Sequence, residues 1–226
     1  MQLFYTPNSK SDILDGDEFY HCVKSLRKKE GDVIFTTDGK GNLFKTKIEK
    51  IEKSLCYLNK KEKVKSISQK KTNHVSICLI KSQSRIDWMI EKLTEVGINE
   101  ISFITSQNCE RKKLNYDRLN KKVISAAKQC NSLFLPKINE ITSLDQFLNK
   151  TKNINNKFFA DLDSKNKLKT YGDNFNSILL IGPEGDFTEE EKIRIKSFEF
   201  RSITLGDQIL RSETAAVVGG YLLKEI

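Results

Sequence analysis

Ile178-Leu-Leu-Ile-Gly-Pro-Glu-Gly-Asp-Phe-Thr188, followed further on by Leu205-Gly-Asp-Gln-Ile-Leu-Arg-Ser-Glu-Thr-Ala-Ala216, is the stretch whose reading decides the fold. Ile178 to Ile181 is an unbroken aliphatic run, the pattern of a strand covered on both faces. Gly182-Pro183-Glu184-Gly185 must end it, because Pro183 lacks a backbone donor and glycine permits a tight turn or the close approach of another group. Thr188 and Glu191 have capping-box spacing, so a helix is predicted from Glu189. An ordinary strand–turn–helix connection would use the same residues.

The second turn repeats the arrangement. Ile203-Thr204-Leu205 reads as a short strand running into Gly206, and an Ala/Val/Gly-rich helix is predicted from Ala215 to Leu223. Ser212 is the predicted N-cap, with Glu213 in the first turn, where the helix dipole favours a negative charge. Arg211 and Glu213 beside a glycine turn suit a bound polar ligand and equally a local ion pair. Ala215, Ala216, Gly219 and Gly220 permit close packing of this last helix.

Upstream, strands and helices alternate from Val75. Val75 to Ile80 and Ile101 to Ile104 read as strands flanking a helix from Ile86 to Val96. Ile86, Met89, Ile90 and Leu93 form its apolar stripe and Gly97 its C-cap. Helices at Asp117 to about Cys130 and Leu144 to Asn149, then a strand at Lys157 to Ala160, continue an α/β pattern with a mainly parallel sheet. Neither GxGxxG nor GxxxxGK[ST] occurs, so any nucleotide-like ligand needs another kind of site.

The front of the chain is β-rich. Asp32 to Thr37 and Leu43 to Ile48 flank the hairpin signal Asp38-Gly-Lys-Gly-Asn42, Ser54 to Asn59 supplies a further strand, and His21 to Arg27 a short helix with Val23 and Leu26 inward. A compact barrel fits these pieces. Lys60 to Lys65, continuing to Lys71, is an exposed strand edge or linker by its charge. The boundary near Thr72 gives domains 1–72 and 73–226.

The 226 residues carry a formal charge of +9, which suits a polyanionic partner. Residues 1–72 hold 16 Lys and Arg against 10 Asp and Glu, so most of the surplus lies in front. Five scattered cysteines without a CxxC pair indicate a reducing compartment, and two histidines outside any cluster imply no metal. No secretory leader or membrane-length apolar run is seen, so a soluble, cytoplasmic protein is expected.

The GPEG turn after a buried strand, followed by Leu205-Gly206 and Ile209-Leu-Arg-Ser-Glu-Thr-Ala215, resembles the C-terminal signature of SPOUT-class RNA methyltransferases. It is most similar to that of the ribosomal RNA small subunit methyltransferase E family. Lys81-Ser-Gln-Ser-Arg85, Asp87-Trp88 and Glu91-Lys-Leu-Thr-Glu-Val-Gly97 resemble another block of that family, as do Ala126-Ala-Lys-Gln129 and Leu135-Pro136. In front, His21, Leu26-Arg27, Gly31-Asp32 and Asp38-Gly-Lys-Gly41 match its pattern more weakly.

The resemblance implies an α/β fold with a C-terminal trefoil-knotted SPOUT domain and an N-terminal PUA-like β-barrel that binds RNA. It implies S-adenosylmethionine as cofactor, 16S rRNA as partner within the assembled small subunit, N3 of a uridine as target, and a homodimer. Carried over by residue, cofactor contacts would be Leu180, Ile181, Gly182, Gly185, Leu205, Gly206, Ile209, Leu210 and Thr214. Arg211 is the candidate for orienting the base; Glu213 would accept a proton, hold Arg211 or serve the helix start. Lys24, Arg27, Lys28, Arg85 and Lys92 are candidates for RNA contact, with Lys29 beside them. Glu95 reads as structural and Trp88 as core or interface.

Three departures stand out: Asp186 replaces a second glycine common in relatives, Gln208 stands where Arg or Asn is frequent, and Leu3-Phe4-Tyr5 lacks the arginines many relatives have near this point. Another SPOUT methyltransferase acting on a ribose 2'-OH or a different base is the alternative, and a catalytically silent RNA-binding or assembly protein a third. Retention of both glycine turns argues against the last.

Overall fold

The computed structural model describes residues 2–7, 12–107, 109, 113–168 and 176–226, with Lys60 and Lys61 described in backbone only. Two compact units emerge: Met1–Gln69 with Ile124–Leu135, and Lys70–Val123 with Pro136–Ile226. The segment 124–135, distant in sequence, thus counts with the first unit.

In the first unit, β1 (Leu3–Tyr5), β2 (Ile13–Leu14), β3 (Val33–Thr37), β4 (Asn42–Glu52) and β5 (Leu55–Ser66) form one sheet in the order β1-β3-β4-β5-β2. Phe4, Leu14, Ile34, Ile48, Cys56 and Leu58 make its core, with Phe19 and Cys22 from α1 (Gly16–Phe19) and the π-helical turn Tyr20–Ser25 that continues it. This helical segment starts earlier than His21 and ends before Arg27, which takes a left-handed φ of 52°. Val23 and Leu26 pack partly buried against the core.

β4 and β5 run well beyond the predicted strands, with register shifts at three places. The charged run that reads as an exposed strand edge or linker is strand as far as Ser66, paired with β4 on one side and exposed from Glu62 onward, so the edge reading holds there: cross-strand hydrogen bonds hold a sequence whose side chains favour water. The exposure read for Lys60 and Lys61 lies outside the described side chains. At the β3–β4 turn, Asp38 accepts from Lys40 N (2.8 Å) and Asn42 Nδ2 (2.7 Å). Burial acts to raise its pKa, yet these bonds outweigh it and hold the carboxyl below its ordinary value.

The second unit holds β6 (Asn73–Cys78), α2 (Gln83–Val96), β7 (Glu100–Thr105), α3 (Tyr116–Gln129), β8 (Lys137–Ile138), β9 (Thr142–Ser143) and α4 (Leu144–Lys150). After these come β10 (Asn156–Ala160), β11 (Ser177–Ile181), α5 (Glu189–Ser197), β12 (Arg201–Ile203) and α6 (Ser212–Glu225). The second half of α3 belongs to the first unit. The sheet has the order β12-β10-β11-β6-β7-β8, with β9 also on β7, and every pairing is parallel, as the alternating pattern predicts. β6 and β11 are buried along their whole length.

The α2 stripe of Ile86, Met89, Ile90 and Leu93 is fully buried, and Gly97 caps it at φ 87°. Thr188 and Glu191 form the complete capping box of α5. The last helix begins at Ser212, earlier than Ala215, and its N-cap is Arg211 rather than Ser212. Arg211 offers no side-chain cap; its extended backbone (φ -64°, ψ 150°) turns the chain and Ser212 is buried as the first helical residue. Likewise β12 ends at Ile203, because Thr204 N bonds to Asn166 O (2.8 Å) and the chain then leaves the sheet.

Packing between α6 and the sheet depends on a missing side chain. A Cβ at Gly219 would stand 2.3 Å from Leu179 Cδ2 of β11, so the helix sits closer than alanine allows. Within β6, His74 Nε2 lies 2.8 Å from Ser102 Oγ and 3.1 Å from Ser76 Oγ. Burial disfavours its charged form and pushes its pKa down to about 4.

Candidate active site

The carboxyl ends of three neighbouring strands, β10, β11 and β12, open into one pocket of about 420 Å³. Ligands in open parallel sheets bind beyond these ends, and the volume falls in the range of small-molecule sites. Ala160, Asp161 and Leu162 line it after β10, and Ile181, Gly182, Pro183, Glu184 and Asp186 after β11. The third wall runs from Thr204 through Leu205, Gly206, Gln208, Ile209 and Leu210 to Arg211, closed by Ser212 and Ala215 of α6 and by Arg85 of α2.

The two glycine turns are therefore brought together. Ile181, Gly182, Leu205, Gly206, Ile209 and Leu210 all line the pocket. Leu180, Gly185 and Thr214 do not: Leu180 is inside the sheet, Gly185 is exposed in the turn, and Thr214 lies within α6. Gly206 has φ 131°, open to glycine and unfavourable for side chains. Ile209 is 83% exposed, a large apolar side chain left in water at the rim.

Charge is distributed unevenly around the rim. Arg211 is exposed, and among the described residues no ion pair or side-chain hydrogen bond engages its guanidinium. Arg85, a candidate for RNA contact, donates to Glu184 through Nη1 and lies 3.5 Å from Glu213 Oε1 through Nε. Glu213 is 6% exposed, and its Oε2 is buried without a hydrogen-bond partner among the described residues. Its contact is thus with Arg85, and among the described residues no hydrogen bond or ion pair joins it to Arg211. Lys92 is outside the lining and pairs with Glu91 (3.0 Å) and Glu95 (2.9 Å), which gives Glu95 a local partner. Lys24, Arg27 and Lys29 are exposed and Lys28 half-buried in the first unit.

Behind the pocket lining stands a buried cation. Lys192 of α5 reaches Asp186 Oδ2 at 3.0 Å and Asp161 Oδ1 at 3.2 Å. Burial acts to lower its pKa, but the carboxylates of Asp186 and Asp161 more than offset this and raise it. Asp186 has φ 61°, the conformation a glycine adopts most readily and aspartate tolerates. Asp161, Glu184 and Lys192 escaped the sequence reading. Asp161 follows the strand read at Lys157 to Ala160, so the rule that ligands meet strand carboxyl ends could have found it. Among the described residues, no group of His, Cys, Asp and Glu is placed to hold a metal ion. All five cysteines are free, and no described helix is long and apolar enough to cross a membrane.

A pocket at the carboxyl ends of a parallel sheet, walled by backbone turns and a small-residue helix, belongs with the RNA methyltransferases of this α/β class. The family described as RNA methyltransferase domain matches residues 67–223, and the RNA methyltransferase PUA domain matches residues 14–61. The chain belongs to the ribosomal RNA small subunit methyltransferase E family. The enzyme of that name from Rickettsia conorii is 31% identical over 215 residues, covering 93% of this chain and 87% of the relative. The crystal structure of a probable rRNA-methyltransferase from Porphyromonas gingivalis superposes with a TM-score of 0.85 at 31% identity, over 100% of this chain and 98% of that one. Ribosomal RNA small subunit methyltransferase E from Neisseria gonorrhoeae, solved bound to S-adenosyl methionine, gives a TM-score of 0.81 at 25% identity, over 100% and 97%.

Proposed function

We propose that the protein transfers a methyl group from S-adenosylmethionine to N3 of a uridine in 16S rRNA of the small ribosomal subunit. The observation that carries this reading is the convergence of both glycine turns on one pocket, with an exposed cation, Arg211, at its rim. The residues present fit the cofactor. Ile181, Leu205, Ile209 and Leu210 offer apolar surface to an adenine, Gly182 and Gly206 let it approach the backbone, and Asp161, Glu184 and Asp186 suit a ligand that carries positive charge. When bound, S-adenosylmethionine supplies a sulfonium-activated methyl group.

The chain's own residues then have three tasks. N3 of uridine bears a proton and lies on the base-pairing edge, so the base must be unpaired and its developing imide anion stabilised. Arg211, exposed and without a competing carboxylate among its described contacts, supplies that stabilisation. Glu213 holds Arg85 through Oε1, and its Oε2, without a hydrogen-bond partner among the described residues, is left to accept a proton. Exclusion of water falls to the apolar rim of Ile209 and Leu210 once ligand covers it.

The front unit, residues 1–72 in this reading, is a PUA-like, barrel-like RNA-binding domain whose contacts include Lys24, Arg27, Lys28 and Lys29; Arg85 and Lys92 serve the RNA from the methyltransferase domain, 73–226. A trefoil knot through the two pocket turns is part of the same reading, supported by β10 lying between β11 and β12 while the chain visits it first. A homodimer is supported by Trp88 on α2 and Tyr221 on α6, 42% and 53% exposed on helices that pack together. The protein acts in the cytoplasm, where ribosomes are assembled.

The test is methyl transfer from labelled S-adenosylmethionine to assembled small subunits and to naked 16S rRNA, with the modified nucleoside mapped. 3-Methyluridine in the assembled subunit is expected. A methylated ribose, or intact cofactor binding without any transfer, would refute the assignment.

A further inference from the structure

We infer that Lys192 is a positioning residue of the cofactor pocket, tying the segment after β10 to the turn after β11 and thereby setting the pocket's width and charge. The inference rests on the S-adenosylmethionine reading above and adds a device to it. Lys192 is only 5% exposed, and an ammonium so buried must be matched by opposite charge. Its two close partners, Asp161 and Asp186, both line the pocket and stand on different walls. The remaining two, Asp163 at 3.5 Å and Glu189 at 3.7 Å, are largely in water and contribute little.

The ammonium is held from behind. Thr188 and Glu191 fix the start of α5 through the capping box, and Glu191 Oε1 also accepts from Gln107 N (2.9 Å), anchoring the helix beyond β7. From that fixed base Lys192 meets Asp186, whose Oδ1 accepts from Phe187 N (2.8 Å) while Oδ2 faces the lysine. A left-handed residue with a side chain is strained; here both of its carboxylate oxygens have partners that keep it in place. A glycine at this point would give Lys192 nothing to grip in that turn.

Two carboxylates against one ammonium leave these walls with a net negative charge. S-Adenosylmethionine carries a sulfonium charge that S-adenosylhomocysteine lacks, so the two ligands report separately on shape and charge. Isothermal titration of the purified full-length protein with each ligand tests the inference without requiring turnover. Lys192→Met should weaken binding of both by roughly fivefold or more, the scale of coupling between contacting groups. It should also shift preference toward S-adenosylmethionine by roughly twofold or more, because the walls become more negative. Lys192→Arg should bring that preference back.

Unchanged affinity for both ligands, or weaker binding with an unchanged ratio, overturns the inference; the latter is what a merely structural lysine would give. Should Lys192→Met fail to fold, Asp186→Asn provides the opposite test. It keeps an acceptor for Phe187 N and removes one negative charge, so the preference must move toward S-adenosylhomocysteine; no movement refutes the proposal. If the unaltered protein binds neither ligand, the cofactor reading itself has failed, an outcome distinct from any result on the variants.

Discussion

At the scale of single residues, the site divides between groups that touch a ligand and groups that hold others. The proposed mechanism puts Arg211 in the first class, and on that reading Arg211→Ala should lower single-turnover methylation roughly 100-fold, the usual effect of losing one anion-stabilising donor. S-Adenosylmethionine affinity, measured by titration, should stay within about twofold; full activity in the variant would remove Arg211 from the mechanism. His74 is a structural residue with a pH signature. Its folded pKa of about 4 lies below the ordinary value of about 6.5, so the unfolded chain takes up the proton first as pH falls. Its contribution is therefore present above about pH 6.5 and is lost progressively toward about pH 4, on the order of 3 kcal/mol. Urea midpoints between pH 7 and 4 should fall less steeply for His74→Gln than for the unaltered protein, and parallel curves would contradict this.

At the scale of elements, caps and close approaches decide how the walls are held. Thr188→Ala removes half of the α5 capping box and should cost about 1 kcal/mol in denaturant unfolding. Because α5 carries Lys192, a loss of cofactor affinity should accompany it. Gly219→Ala places a methyl group against Leu179, and overpacking of this kind costs about 1–3 kcal/mol. A melting temperature equal to that of the unaltered protein would show that Leu179 moves aside freely. Strong local signals made most elements legible: the α2 stripe, the Thr188–Glu191 spacing and the aliphatic β11 run each appear where the sequence puts them. The length of β5 and the π-helical turn were not legible, because pairing with β4 overrides a charged composition and no periodicity marks a π-turn.

For the whole molecule, the charge of +9 and the basic surplus in residues 1–72 bear on RNA affinity. Replacing Lys24, Arg27 and Lys28 together by alanine should weaken rRNA binding and flatten its salt dependence, by about 0.7 in the log–log slope for each lost single-strand phosphate contact. Filter binding from low to moderate salt measures this; an unchanged slope would place the RNA contacts elsewhere. The same experiment on Arg85→Ala is expected to change affinity less, since Arg85 is engaged by Glu184 and Glu213.

The sequence by itself determined the parallel α/β class, the position of most strands and helices, the two glycine turns and the family. These depend on local periodicity, caps and residue types that bend a chain, all of which are written along a few consecutive positions. Only the tertiary structure decided that Asp161 joins those turns, that Arg85 meets Glu184 and Glu213, and that Lys192 grips two pocket walls. The reason is the strand order: with β10 between β11 and β12, loops far apart in the chain meet at one end of the sheet. No local pattern encodes which distant carboxylate a buried ammonium will find there.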